Sequence, residues 1–312
     1  DAQSANGTYV NGRKVDRAQL GPGDTLRFGE LMFRIDGGGL VPQARPAGLG
    51  PSMDVPPAVK YGFFGLAGVT LIALPQVFSS GGSITLMSLM GIAVVLALSY
   101  NMLLGQTGML SFGHAVYYGL GGFATAHTIN GLAQLGWAVP LPLLPLAGGL
   151  AGLLFAALFG WVSTQRAGTA FAMISLGIGE LVGACSLILR GFFGGEGGVS
   201  TSRTALAPWL GLTFGPQIQT YYLIAAWCLL CAAGMYAFSR TPLGRIANAV
   251  RDNPERVAFI GYSTHLVRFL VFCIAGFFAG VAGGLAAIHF EIVTTSVLGI
   301  GQSGQVLLMA FV

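Results

Sequence analysis

From residue 61 onward the chain is a succession of apolar runs, each close to a bilayer crossing in length, separated by short segments that hold most of the charged side chains. That pattern leaves few folds open. A helix rises about 1.5 Å per residue and the hydrocarbon core of a bilayer is about 30 Å thick, so about 20 apolar residues make one crossing. Within lipid every backbone N–H and C=O must be satisfied by the protein itself, and uninterrupted apolar runs do this as helices. Crossings are expected near residues 61–78, 83–104, 108–130, 140–162, 169–190, 218–238 and 266–288, with the start of another at 303–312.

Composition excludes the alternative of a water-soluble fold. The 312 residues are 54% hydrophobic and 8% charged, whereas a soluble domain carries about 25% charged residues. Residues 1–60 hold seven of the 15 Lys/Arg and six of the 11 Asp/Glu, so two parts with different solvents are expected. Cys185, Cys228, Cys231 and Cys273 all fall in apolar runs, where a thiol behaves as a small hydrophobe. The basic residues are scattered or flank apolar runs, which fits membrane topology and gives no nucleic-acid footprint.

The polar N-terminal part reads as short strands and turns. Thr8-Tyr9-Val10 runs into Asn11-Gly12, a hairpin signal, and Gly21-Pro22-Gly23-Asp24 precedes the alternating Thr25–Phe28 and Leu31–Ile35 segments. The expected organisation is a β fragment at 1–40, a Pro/Gly-rich linker at 41–59 and an all-α polytopic membrane domain at 60–312. That domain has about seven to eight transmembrane helices and is C-terminally incomplete at Val312. Asn6-Gly7-Thr8-Tyr9-Val10-Asn11-Gly12, Leu20–Asp24 and Arg27-Phe28-Gly29 resemble the C-terminal third of a forkhead-associated domain. The resemblance implies that Asn6 and its turn lie beside a phosphothreonine peptide, although the upstream arginine and serine loops have no counterpart.

Basic residues set the orientation. Arg240, Arg245, Arg251, Arg256 and Arg268 crowd the connection between the sixth and seventh spans, whereas Arg203 and Glu196 stand in the long connection before it. The first connection is expected in the cytoplasm and the second outside, which puts Arg166, Lys60 and the N-terminus inside.

Chemistry-bearing residues are few. A phosphate-cradling G-x-x-x-x-G-K-[ST] loop needs a lysine, and the only lysines are Lys14 and Lys60, neither in such a context. No zinc-type histidine cluster, nucleophile elbow or paired carboxylates share a span, so no enzyme active site and no bound cofactor or metal are expected. Within the spans, Gly105 and Gly108 in a polar run indicate an interrupted helix, and irregular backbone at membrane depth survives only against protein or a water-lined path. Asn101, Gln106, Ser111 and His114 are the pathway candidates there, against a reading in which they glue helices together. Glu180, in the fifth span, is a costly intramembrane carboxylate and a further candidate. Gly276, Gly280 and Gly284 recur every four residues and mark a close-packing face. Residues 241–261 read as two short amphipathic helices outside the bilayer, the second opened by Asp252-Asn253-Pro254-Glu255, with Ile246, Ala249 and Val250 at helical spacing.

From about residue 83 onward the chain resembles the permease family of branched-chain amino-acid ABC importers. The resemblance is carried by Leu96–Gly122 with Gly105–Ala115 inside it, Ala170–Leu176 with Glu180, Gly194-Gly195-Glu196-Gly197-Gly198, Gly244–Gly261 and Ala275–Gly283. It implies a multi-pass protein of a bacterial inner membrane that moves a small solute, with a coupling loop at Gly244, Arg245, Ala249, Arg251, Glu255, Ala258 and Gly261. It also implies three partners: a cytoplasmic ATPase that hydrolyses the ATP, an external solute-binding protein, and a second, homologous permease. Two other readings remain open at this level, an ATP-independent transporter or channel and a phosphorylation-responsive membrane scaffold.

Overall fold

The computed structural model describes residues 8–15, 17–28, 31–36, 39–43, 57–137, 139–208 and 211–311, and the chain divides into the units Asp1–Tyr61 and Gly62–Val312. The first unit carries an antiparallel sheet of β1 (Thr8–Val10), β2 (Arg13–Val15), β3 (Thr25–Phe28), β4 (Leu31–Asp36) and β5 (Gly39–Gln43), in the order β2-β1-β3-β4-β5. Asn11 and Gly12 both take positive φ, 49° and 82°, as the tight turn between β1 and β2 requires. The Asn11 side chain then ties this hairpin to the next turn: its Oδ1 accepts from the Thr25 N–H at 2.9 Å and its Nδ2 donates to Asp24 at 2.8 Å. The Gly21 amide also donates to Asp24, at 2.8 Å. That amide first, and Asn11 second, hold the Asp24 carboxyl below the usual carboxylate range. The sheet reaches Gln43, into the stretch read as linker, because Val41 and Leu40 find a register opposite Arg34 and Ile35. Asn6, Gly7 and Gly29 of the forkhead-associated pattern, and residues 44–56 of the linker, lie outside the described residues.

Helices then follow in the order the hydropathy predicts. They are α1 (Pro57–Val77), α2 (Gly81–Thr107), α3 (His114–Leu135), α4 (Pro145–Ser163), α5 (Thr169–Ile188) and the single turn α6 (Arg190–Phe193). A two-residue strand β6 (Val199–Ser200) precedes α7 (Gln217–Arg240), α8 (Pro242–Asp252), α9 (Pro254–Phe259) and α10 (Thr264–Phe290), and β7 (Ile292–Val293) and α11 (Ile300–Phe311) close the chain. Among the described residues five helices are long and apolar enough to cross a membrane: α2, α4 with the turn before it, α5, α7 and α10. The other expected spans are the shorter apolar Phe64–Val77 of α1, the less apolar α3 and the beginning of α11.

The reason α3 is less apolar is its position. His114, Tyr117, Tyr118, Thr125 and a series of small residues are buried along it, so it faces protein where a lipid-facing helix would need leucine and valine. Of the apolar stretch of α10, 72% is buried, against 28% for α2, which puts α10 at the centre of the bundle and α2 nearer its surface.

Close packing of α3, α4 and α10 rests on glycine meeting glycine. A Cβ on Gly280 would fall on the Gly148 carbonyl and within 3.0 Å of the Gly152 Cα, while one on Gly121 would stand 2.5 Å from the Gly280 Cα. The helices therefore touch backbone to backbone on both sides of α10, as small residues allow in a bilayer. Gly276 faces Ala156 and Gly284 faces Thr125 and Pro145 along the same helix. Gly283, absent from the sequence-level glycine set, lies against the Tyr118 carbonyl on the α3 side.

A polar clasp closes the end of the bundle at which α7 begins and α10 ends. β6 pairs with β7, the Arg203 amide donates to Glu291 Oε1 at 2.9 Å, and the Arg203 guanidinium donates to the Gly215 carbonyl at 3.1 Å. Gly194, Gly195 and Gly198 all take positive φ in the turn that leads into it.

Candidate functional site

The site forms where α2 stops. Gly108, at φ 68°, ends the helix and donates its N–H to Leu104 at 3.0 Å, while Met109 donates to Leu103 at 3.3 Å. Residues 109–113 are non-helical, and Met109, Ser111 and Gly113 among them are buried. The third span thus begins at His114 and not at 108, because the αL glycine breaks the helix and the following backbone finds side-chain partners.

Those partners come from three helices. The Tyr100 hydroxyl of α2 donates to the Ser111 carbonyl at 3.0 Å and accepts from the Ser111 N–H at 3.2 Å. Ser175 of α5 accepts from the Phe112 N–H at 3.0 Å, and Ser303 of α11 accepts from the Ala115 N–H at 3.2 Å. A Cβ on Gly113 would run into the Ser175 carbonyl, so α5 lies directly on the break. His114 is buried with Nε2 at 2.9 Å from the Ser99 hydroxyl, whose own hydrogen goes to the Leu96 carbonyl at 2.7 Å. Nε2 is therefore the donor, and Nδ1 is left without a partner. Ser111 Oγ is also buried and unpaired. Unpaired buried polar atoms are where a water or a solute group is held.

The candidates from the sequence separate into three places. Ser111 and His114 share the break. Asn101 and Gln106 line a different space, a cavity of 710 Å³ between α1, α2 and α7. Glu180 is on the exposed face of α5 with Met173, Gly177 and Ala184, and has no ion-pair partner among the described residues. Ser99, Tyr100, Ser175 and Ser303 escaped the sequence reading. Their one signal is small or hydroxylated residues within spans, which is common to all packed membrane helices.

At the same end, α8 and α9 form the two short helices expected at 241–261. Thr241 accepts from the Gly244 N–H at 3.2 Å and Asn253 from the Arg256 N–H at 2.9 Å, each capping its helix ahead of a proline. Gly244, Ala247 and Val250 are buried, and Ala247 and Val250 cluster with Val257, Val267 and Val271. Ala249, at helical spacing with Ile246 and Val250, is exposed, together with Arg245, Glu255, Ala258 and Gly261. Phe259 and Ile260 are 90% and 70% exposed, an apolar pair bare in the turn after Arg256. Arg251 reaches back across the helix pair and donates to the Gly105 carbonyl, with its stem 3.0 Å from where a Gly108 Cβ would stand. A cation there meets the negative end of the α2 dipole.

Long apolar helices, a buried polar break and an amphipathic helix pair at one end define a polytopic helical membrane protein. A family model described as branched-chain amino acid transport system / permease component matches residues 82–312, and the chain belongs to that family. The FHA domain model matches residues 1–29. Over 270 residues the chain is 27% identical to the high-affinity branched-chain amino acid transport system permease protein LivM of Escherichia coli K12, and 26% identical to LivM of Salmonella typhimurium LT2. Each match covers 80% of this chain and 62% of the relative, so the chain spans about three fifths of the length of the curated relatives it matches. No solved structure matches.

Proposed function

We propose that the chain is the membrane-spanning permease subunit of an ATP-binding cassette importer that passes branched-chain amino acids or a related small solute across a bacterial inner membrane. A separate cytoplasmic ATPase hydrolyses the ATP, an external binding protein delivers the solute, and a second homologous permease completes the pathway. The N-terminus and the α8–α9 pair face the cytoplasm.

The observation that carries this reading is the exposed surface of α8 and α9. Phe259 and Ile260 stand bare in the turn after Arg256, and an apolar knob at the end of a short helix is a shape that docks into a groove of a partner. Arg251 joins that surface to the end of α2, next to the break that carries Ser111 and His114. A push on α8 thus has a mechanical route to a buried non-helical stretch that carries the unpaired Ser111 Oγ and His114 Nδ1. The exposed face of α5 with Glu180 is the side offered to the second permease, where a carboxylate at membrane depth finds water or a polar partner.

Uptake of radiolabelled leucine into proteoliposomes that hold this chain with its ATPase, second permease and binding protein tests the reading. Uptake is expected to require ATP inside the vesicle and to persist when ion gradients are collapsed. Uptake that survives without ATP and disappears with the gradient contradicts it and favours an ATP-independent transporter.

A further inference from the structure

The 710 Å³ cavity between α1, α2 and α7 has no part in the break or in the coupling surface, and its walls are graded in polarity. Toward the middle of the helices it is lined by Leu71, Leu74, Val94, Leu98 and Leu229. Toward the C-terminal ends of α2 and α7 it is lined by Asn101, Gln106, Tyr236 and Ser239. The lining runs from Val94 to Gln106 on α2 and from Cys228 to Ser239 on α7. At about 1.5 Å per residue this is about 16–18 Å of helix, close to half of a hydrocarbon core about 30 Å thick. The cavity is therefore about one leaflet deep, apolar inside and polar at the membrane surface.

We infer that this cavity holds an acyl chain of an anionic phospholipid, with its headgroup at Tyr236 and Arg240. Arg240 lies against the polar mouth: it donates to the Tyr236 hydroxyl at 2.6 Å and its guanidinium carbon sits 5.1 Å from the centre of that ring. No carboxylate stands within ion-pair distance of it among the described residues, so its charge is free for a phosphate. Asn101, in the same wall, is exposed and offers its amide to a headgroup hydroxyl, which phosphatidylglycerol supplies. The volume of 710 Å³ lies within the range of about 300–1,000 Å³ that holds small ligands. The site is independent of the transport reading.

The test is native mass spectrometry of the full chain, delipidated in mild detergent and titrated with phosphatidylglycerol or phosphatidylcholine. Wild type is expected to retain one phosphatidylglycerol with at least a tenfold preference over phosphatidylcholine. Arg240→Gln, a surface change, is expected to reduce that preference to less than twofold, and Ala232→Trp, which fills the cavity from α7, to lower binding of both lipids at least fivefold. A photo-crosslinking side chain at Leu98 in native membranes is expected to capture lipid. The inference is overturned by equal binding of the two lipids to wild type, by an Arg240→Gln chain that keeps the preference, or by a Leu98 probe that captures protein instead of lipid. An Ala232→Trp chain that elutes as a monodisperse species and binds lipid like wild type overturns it as well.

Discussion

Gly280→Val is expected to abolish accumulation of a monodisperse chain, because no rotamer of valine fits where three helix backbones meet. Its Cβ falls on the Gly148 carbonyl and near the Gly152 Cα on the α4 side, and Gly121 already brings α3 to within a methyl group on the other. α4 would have to back away from α10, while α3 already packs against the Gly280 backbone and leaves α10 no room to yield. Overpacking of an ordinary core costs about 1–3 kcal/mol; here the obstacle is helix backbone, which cannot rotate aside, and the expected loss is about 3 kcal/mol or more. Gly177→Ala is the matched control, since nothing lies within 4 Å of its Cβ position and alanine favours the helix. Size-exclusion profiles after graded heating read the difference: the control should track wild type, and a heat-stable Gly280→Val chain would contradict the packing described here.

Arg251→Glu is expected to cut solute uptake at least tenfold while leaving the heated size-exclusion profile and the ATPase content of the assembled complex near those of wild type. The side chain is exposed, so little folding energy rides on it, but its hydrogen bond to the Gly105 carbonyl is the direct tie between α8 and the end of α2. A hydrogen bond to a charged group is worth about 1.5–3 kcal/mol, less for exposed groups once water screens them. Glutamate removes it and sets a negative charge against the negative end of the α2 dipole. Arg251→Gln keeps a donor without the charge and should fall between the two. Uptake equal to wild type in the Arg251→Glu complex would remove α2 from the route by which α8 acts.

Much of the fold was legible because lipid leaves the backbone little choice: run length alone placed α2, α4, α5, α7 and α10, and Thr241-Pro242 and Asn253-Pro254 placed the two short helices between α7 and α10. What was not legible was the phase of the helices. In water, polar residues mark the outer face, but in a bilayer both faces are apolar and polar residues mark contacts of any kind. Tyr100 and Asn101 are neighbours in sequence and point to different surroundings, Tyr100 into the break and Asn101 into the α1–α2–α7 cavity. Ser111 and His114 were legible as a pair because the glycines at 105 and 108 flagged their segment, whereas Ser175 and Ser303, which hold the same backbone, come from 63 and 188 residues away. Helical spacing groups Ala249 with Ile246 and Val250 but does not say which of them is buried, and only the structure shows that Val250 faces the bundle while Ala249, Phe259 and Ile260 face outward.

The central claim, that α8 and α9 present the surface by which an ATPase drives this permease, is tested most directly by co-purifying the chain with its cognate ATPase in detergent and comparing wild type with the Phe259→Ser/Ile260→Ser double variant. Both side chains are exposed, so the variant should fold and elute as wild type does. Stoichiometric ATPase with wild type and at least a tenfold reduction with the double variant is the expected result; equal recovery of ATPase with both chains would contradict the claim.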